Sequence, residues 1–479
     1  MAALDTFPDL PQPGEISICE RNGRICTLPI NEVDATSSCN QLTAYPEINI
    51  GRELFHHAAV HLREDHRTLM VPVNETLIKR ITRTFFEEGV VEALNEAANT
   101  DSHQYNPLVG SLSRYLLALI GVGNRVKFFF KPHLQEQGVH CVGKYTQTKD
   151  WSKSAIRCIR WHSNCFKVAI AASDDSIRVY TDEPTIVPVL KSGLQKSITS
   201  LAWRPLTAGE LAVGCQNGTL VWNVDPNSLI TRPLSQAIQL KYGNHFPVTS
   251  VEWSPNGCLL ATASINDSDV LIWDVDQNRQ VPLRRVGPPC ALLKWCPTGS
   301  RLCSTTVSNV FRVWQTDKWT PERWTINHGT IQSVVWSRTG SHLLFVTTDD
   351  CFLYSLGFVE DEVFTSTMSP KSALPIADLA KITIGEAEVG GHPQALAWCP
   401  HNQHLAVTFK ETPAIAIFNT VIHRCQLTIT PLCFITGIGI ESASCISFQE
   451  NPGRRSNDKM KTVLTIGWSS GRIQYFPFV

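Results

Sequence analysis

The chain carries no charge excess. Its 42 lysines and arginines stand against 43 aspartates and glutamates, for a net charge of −1. Nucleic-acid binding as a main role needs a basic surplus or a concentrated basic face, so that class is set aside. Long apolar runs are also missing. The most apolar stretch, Tyr115–Gly123, is bracketed by Arg114 and Arg125 and is about half of the ~20 residues a spanning helix needs. The opening residues, MAALDTFPDLPQPGEISICE, place acids early and hold no apolar core of the secretory kind. Contact with a membrane is therefore expected only through a partner. The formal sequons at Asn74, Asn217 and Asn266 have no role without secretion.

Sixteen cysteines are present, yet none stands in a C-x-x-C pair. Cys290, Cys296 and Cys303 form the nearest group, spaced too widely for a structural zinc site. Cys158, Cys215 and Cys303 fall at apolar strand positions, where a reduced thiol acts as a small hydrophobe, and this points to a reducing compartment. Catalytic signatures are absent too: no G-x-S-x-G, no Walker-type loop, no H-E-x-x-H. Gly121-Val122-Gly123-Asn124-Arg125 follows an apolar helical run instead of a strand and lacks a third glycine. No catalytic residue, cofactor site or metal site is expected.

What the chain does have is a repeat. Val248–Val275 reads as three alternating strands, Val248–Trp253, Leu259–Ser264 and Val270–Val275, joined by Ser254-Pro255-Asn256-Gly257 and Asn266-Asp267-Ser268-Asp269. A lone meander cannot bury both faces. Copies of its first strand end at Trp161, Trp203, Trp253, Trp295, Trp336, Trp398 and Phe448, a row read as inward-facing core packing. Successive landmarks differ by 42, 50, 42, 41, 62 and 50 residues. Three of these intervals match the ~40–45 residues of a four-stranded propeller blade, and the longer ones are read as loop insertions. The largest insertion is placed between Leu356 and Gly391, and a polar loop at Gln449–Lys461.

The last unit ends on its third strand, RIQYF, so an open ring would leave a bare edge. Glu15–Pro29, with Asn22-Gly23 as a hairpin turn, is predicted to cross back and complete the seventh blade. Residues 1–14 read as a loose arm and 30–52 as a connector. Between 53 and 130 helical spacing takes over: a helix over Glu75–Asn99, capped by Asn74 and interrupted at Gly89, and a second over Leu108–Ile120. Within Phe55–Arg67, His57, His61 and Asp65 or Glu64 would share a helix face that could hold zinc; the polar composition favours a solvated linker instead. The expected architecture is all-β: a seven-bladed WD40 β-propeller over 151–479, an N-terminal arm over 1–52 with the closing strand, and an inserted α-helical segment over 53–130.

The repeat resembles the WD40 family. Trp273-Asp274 is a WD dipeptide, with Trp222-Asn223 and Trp314-Gln315 as relaxed versions. His245, His328 and His392 precede the first strands of three units, and one position repeated around a ring reads as structural. The resemblance implies that such a histidine bonds a turn aspartate, for which Asp175, Asp269 and Asp350 occupy comparable places.

More specific segments are LQKSITSLAWRPLTAGELAVGCQ at 194–216, SLITRP at 228–233, LNEAAN at 94–99, KSALPIADL at 371–379 and GWSSGRI at 467–473. Together they resemble the ALADIN family of WD-repeat nucleoporins, named with the triple-A syndrome. The resemblance implies a non-enzymatic nuclear pore subunit, held by a transmembrane nucleoporin of the pore membrane. It also implies support of nucleocytoplasmic transport, a cytoplasmic pool and a spindle role. Members usually continue into a Pro-rich tail, which this sequence lacks, and Phe-Gly repeats are missing. The alternatives are a WD40 adaptor in a ubiquitin ligase or coat, and a propeller enzyme. Candidate partner surfaces are 53–130, 357–392 and the basic loop Arg454–Lys461. Nothing in the sequence signals a homo-oligomer.

Overall fold

Strict alternation lets a strand keep one face in water, yet Lys167–Ala172, Ile331–Trp336 and His342–Thr347 are buried at every residue. Only a sheet stacked between other sheets buries a strand so completely. A computed structural model describes residues 1–29 apart from 9, 13 and 22. It further describes 45–51, 113–123, 142–182, 187–224, 237–358, 372–449 apart from 386, 424, 425 and 440, and 462–478, with 82, 94 and 97. The chain divides into two compact units, Met1–Leu54 with Glu136–Val479, and Phe55–Gln135.

In the first unit seven blades follow one another. Blade 3 sets the pattern: Val248–Trp253, Leu260–Ser264, Val270–Asp274 and Arg279–Leu283 pair antiparallel in that order. Its register places Leu260 opposite Trp273 and Trp273 opposite Gln280. The first strands of the other blades are Ile156–Trp161, Ser200–Trp203, Cys290–Trp295, Ile331–Trp336, Pro393–Trp398 and Ala443–Phe448. Each touches the next, and the first strand of blade 7 touches that of blade 1, so the ring closes. The chain is a seven-bladed β-propeller.

The N-terminal residues complete blade 7 and add a strand to the edge of blade 5. Glu15–Arg21 lies beside Ile473–Phe478 in blade 7, running parallel to it, with Arg24–Pro29 folded back outside. Gln474 Nε2 donates to the Ser17 carbonyl at 2.6 Å. The arm over 1–14 is anchored, contrary to the expectation of a loose segment. Ala2–Ala3 pairs parallel with Ala377–Asp378 in blade 5. Leu4 and Phe7 are buried between blades 5 and 6, where the Phe7 ring sits 5.0 Å from Phe418 and 4.4 Å from Phe434. Residues 45–51 belong to the fold as well: Ile50 N–H donates to Gly471 O at 2.8 Å, and Ile473 N–H to Ile48 O at 3.0 Å. Tyr45 bonds Gln449 and packs on Trp161, Phe166 and Tyr475. The described parts of the N-terminal segment thus run as a belt over blades 5, 6, 7 and 1, crossing the seam where the ring closes.

The interval read as an insertion after Leu356 holds the outer strand of blade 5, Leu374–Asp378, and a small hairpin, Ile382–Ile384 with Ala387–Val389. In the second unit residues 113–123 form a helix that continues past the expected end at Ile120, and residues 82, 94 and 97 are helical. The His57/His61 group, Asn74 and Gly89 lie outside the described residues, as do the loop over 450–461 and residues 359–371. The described cysteines form no disulfide, and burial pushes the Cys215 thiol up to about 11, in keeping with small neutral packing groups.

Candidate functional site: the channel and its aromatic mouth

Each first strand runs along the central channel and ends on its landmark aromatic, so the propeller brings seven rings together at one mouth. Trp161, Trp203, Trp253, Trp295, Trp336, Trp398 and Phe448 all line a cavity of about 550 Å³ there. Their bodies are buried in the blade seams and only edges reach the cavity. The row therefore serves as core and as lining together. Three indoles staple neighbouring blades: Trp203 Nε1 donates to Arg160 O at 3.1 Å, Trp295 to Glu252 O at 3.3 Å, and Trp336 to Lys294 O at 3.0 Å. Each acceptor is the carbonyl just before the previous landmark. Trp161 and Trp398 donate to Thr465 and Thr420 instead. A second tier lies three residues earlier, where Ser200, Ser250 and Ser333 accept the backbone N–H groups of Val251, Leu293 and Leu396 from the next blade.

The far end of the channel is filled by the chain itself. Six of the seven first strands carry a β-bulge after their first pair. A bulge leaves one residue out of the ladder and re-aims it. Four of these residues meet the segment Thr146–Lys149. Gln332 Nε2 and Gln394 Nε2 each donate to Thr146 O at 3.0 Å. Thr148 Oγ1 donates to Arg157 O, and Lys149 N–H to Ser444 O at 2.9 Å. Gln147 Nε2 reaches Ser333 Oγ at 3.1 Å, and Val142 packs beneath on Ile265 and Ala291. Thr146 and Thr148 are buried. Gln147 also faces the aromatic cavity, which is thereby a blind cup with the plug as its floor.

Charge in the cup is unequal. Arg160, Lys294 and Arg338 line it against one carboxylate, Glu252, whose Oε1 lies 2.5 Å from Lys294 Nζ. Arg338 stands at the rim with Nη1 3.3 Å from His401 Nδ1. The rim also carries Pro205, Pro255, Pro297 and Pro400, each two residues after its landmark.

The WD array forms fully in blade 3. His245 Nδ1–H donates to Asp267 Oδ2 at 2.9 Å, Thr262 Oγ1–H donates to His245 Nε2 at 3.0 Å, and Trp273 Nε1–H donates to the same Thr262 oxygen at 3.0 Å. Burial raises the Asp267 carboxyl, but the His245 bond and the Asp269 backbone N–H outweigh it and hold it below its ordinary value. The partner is Asp267, not Asp269. Asp267 N–H closes the turn on Ser264 O, which turns its side chain back to His245, whereas Asp269 Oδ1 accepts from Arg285 N. Asp274 of the dipeptide caps a turn by accepting from Gln277 N at 3.1 Å.

Elsewhere the array is rebuilt from other residues. His392 Nδ1 is 2.7 Å from Glu411 Oε1, and its backbone N–H donates to Oε2 at 2.8 Å, so in blade 6 a glutamate takes the place of the turn aspartate. Asp350 instead accepts from Tyr354 OH at 3.2 Å. Asp175 pairs with Arg157 at 2.5 Å. In blade 2 Gln195 stands eight residues before Trp203, as His245 does before Trp253, and accepts from Trp222 Nε1 at 2.8 Å. His328 is exposed and has no hydrogen-bond partner among the described residues.

Residues 137–479 match the family described as the Aladin seven-bladed propeller, well over half of the chain. The chain belongs to that family. A protein named Aladin from Arabidopsis thaliana is 26% identical over 359 residues, covering 68% of this chain and 77% of that protein. COMPASS component SWD1 of Saccharomyces cerevisiae is 34% identical over 100 residues, 20% of this chain and 22% of that protein. Among solved structures, the β-propeller domain of Cps50 (Swd1) from Myceliophteria thermophila superposes with a TM-score of 0.51 at 15% identity, covering 68% of this chain and 97% of that one, a likeness of fold alone.

Within this Aladin-family propeller the channel plug and its glutamine clamps were not foreseen. The only available signal was a polar residue, Gln332 or Gln394, just inside a strand start, which reads equally well as an exposed edge. No group of histidine, cysteine and carboxylate side chains that could hold a metal occurs among the described residues.

Proposed function

We propose that the chain is a non-enzymatic scaffold subunit of the nuclear pore complex, held at the pore membrane by a transmembrane nucleoporin. It would support nucleocytoplasmic transport, with a cytoplasmic pool and a spindle role. Membership of the Aladin propeller family over 137–479 carries the reading. The structure agrees with a scaffold in one respect: several ionisable groups beside the channel are engaged in contacts within the fold. Lys294 pairs with Glu252, Arg157 with Asp175, and Lys149 Nζ donates to Thr412 O at 3.0 Å. No described helix is long and apolar enough to cross a membrane, which fits attachment through a partner. Crosslinking mass spectrometry on native nuclear envelopes tests the proposal. Crosslinks from this chain to a transmembrane nucleoporin are the expected result. Crosslinks confined to ubiquitin-ligase or coat subunits would replace the reading with the adaptor alternative.

A further inference from the structure

We propose that the blind aromatic cup is a docking site for an acidic linear peptide of a partner protein, one that inserts an apolar or proline side chain among the tryptophan edges. Three independent features lead there.

The first is size. About 550 Å³ lies within the range of sites that enclose a ligand, and with the plug across the channel a ligand must enter and leave by the aromatic mouth. The second is charge. Among the described residues that line the cavity, three are cationic, Arg160, Lys294 and Arg338, and one, Glu252, is a carboxylate, so the lining favours an occupant with surplus negative charge. The rim of tryptophan edges and prolines suits a chain that alternates carboxylates with flat apolar groups.

The third is backbone conformation. In four blades the turn after the landmark holds a left-handed residue four positions on. These are Gly257, Gly299 and Gly340, at φ +70°, +78° and +72°, and Asn402, at +56°. In blade 2 the left-handed residue comes one position earlier, at Leu206, with φ +64°. A leucine is an outlier there, because its Cβ crowds the backbone. Leu206 is nonetheless 73% exposed, stands on the cup rim, and is held by Asn164 Oδ1, which accepts from its backbone N–H at 3.2 Å. Strain kept to hold an apolar side chain in water marks a contact surface better than a packing need. The inference goes beyond the pore assignment and stands or falls apart from it.

The test is selection from a random-sequence peptide display library against the purified full chain, followed by affinity measurement on the enriched peptides. The expected peptides are rich in aspartate and glutamate with interspersed proline or aromatic residues, and their binding weakens with salt. Arg338→Glu lies at the exposed rim and should weaken them at least tenfold with thermal stability unchanged. Leu206→Gly should weaken binding several-fold while the melting temperature stays level or rises, which a merely structural role for Leu206 would not produce. Enrichment of neutral or basic peptides, no enrichment, or affinities that ignore both variants would overturn the proposal. So would concentration-dependent self-association of the chain that Leu206→Gly abolishes, since the cup would then receive a second copy.

Discussion

Gln332 and Gln394 donate to one carbonyl, and this makes the plug testable as a thermodynamic coupling. Replacing each by methionine keeps length and volume while removing the donor. In either single variant Thr146 O retains one donor at 3.0 Å. The loss should then be about 1 kcal/mol, the usual net value of one hydrogen bond. In the double variant both donors are gone. Thr146 is 3% exposed, so water does not replace them. Leaving a buried acceptor unpaired adds about 1–3 kcal/mol. The double variant should therefore lose more than the sum of the two singles, by about that amount. Denaturant unfolding of the four proteins gives the coupling. Hydrogen exchange across Gly143–Asp150 locates it, with protection there falling more than elsewhere. Additivity within about 0.5 kcal/mol would refute the shared-carbonyl clamp.

Trp253 is 4% exposed in the seam between blades 2 and 3, so Trp253→Ala should cost about 3–5 kcal/mol and lower the melting temperature; unchanged stability would contradict its inward placement. Phe7→Ala should release the N-terminal arm at a cost of about 2–3 kcal/mol, seen as faster protease cleavage near residues 1–14 with the propeller still folded. Asp267 and Glu411 are both held below ordinary carboxylate values: in each, burial raises the carboxyl and the histidine bond outweighs it. The folded state then binds fewer protons than the unfolded one. Their contribution is complete above an ordinary carboxylate pKa of about 4 and is lost as pH falls through and below it. Melting temperature should hold from neutrality to mild acid and then drop, and Asp267→Asn should show a shallower acid drop than the parent chain.

The blades were legible because their signal is local and repeated: an alternating strand, a terminal aromatic, then a turn. Trp161 to Phe448 mark all seven first strands without knowledge of any long-range contact. The closing strand was legible from a deficit, since the alternating pattern supplies three strands to blade 7, the last at Ile473–Phe478, and leaves Glu15–Pro29 unassigned. The arm was not. Leu4 and Phe7 are isolated apolar residues in a proline-rich stretch, and only the groove between blades 5 and 6 gives them somewhere to go. The plug was hidden for the opposite reason. Thr146-Gln147-Thr148 is polar, and a polar tripeptide is buried only when donors such as Gln332 and Gln394 already wait for its carbonyls. Two carboxylates two residues apart, Asp267 and Asp269, cannot be told apart by spacing. The turn closure on Ser264 O decides which faces His245.

The central claim, a propeller scaffold carried at the nuclear pore by a membrane-spanning partner, meets its most direct test in live imaging. The chain, tagged at its own locus, is followed while each transmembrane nucleoporin of the pore membrane is depleted in turn. The account predicts a nuclear-rim signal that disperses on depletion of one of them. A diffuse cytosolic signal, or a rim signal that survives every depletion, would contradict it.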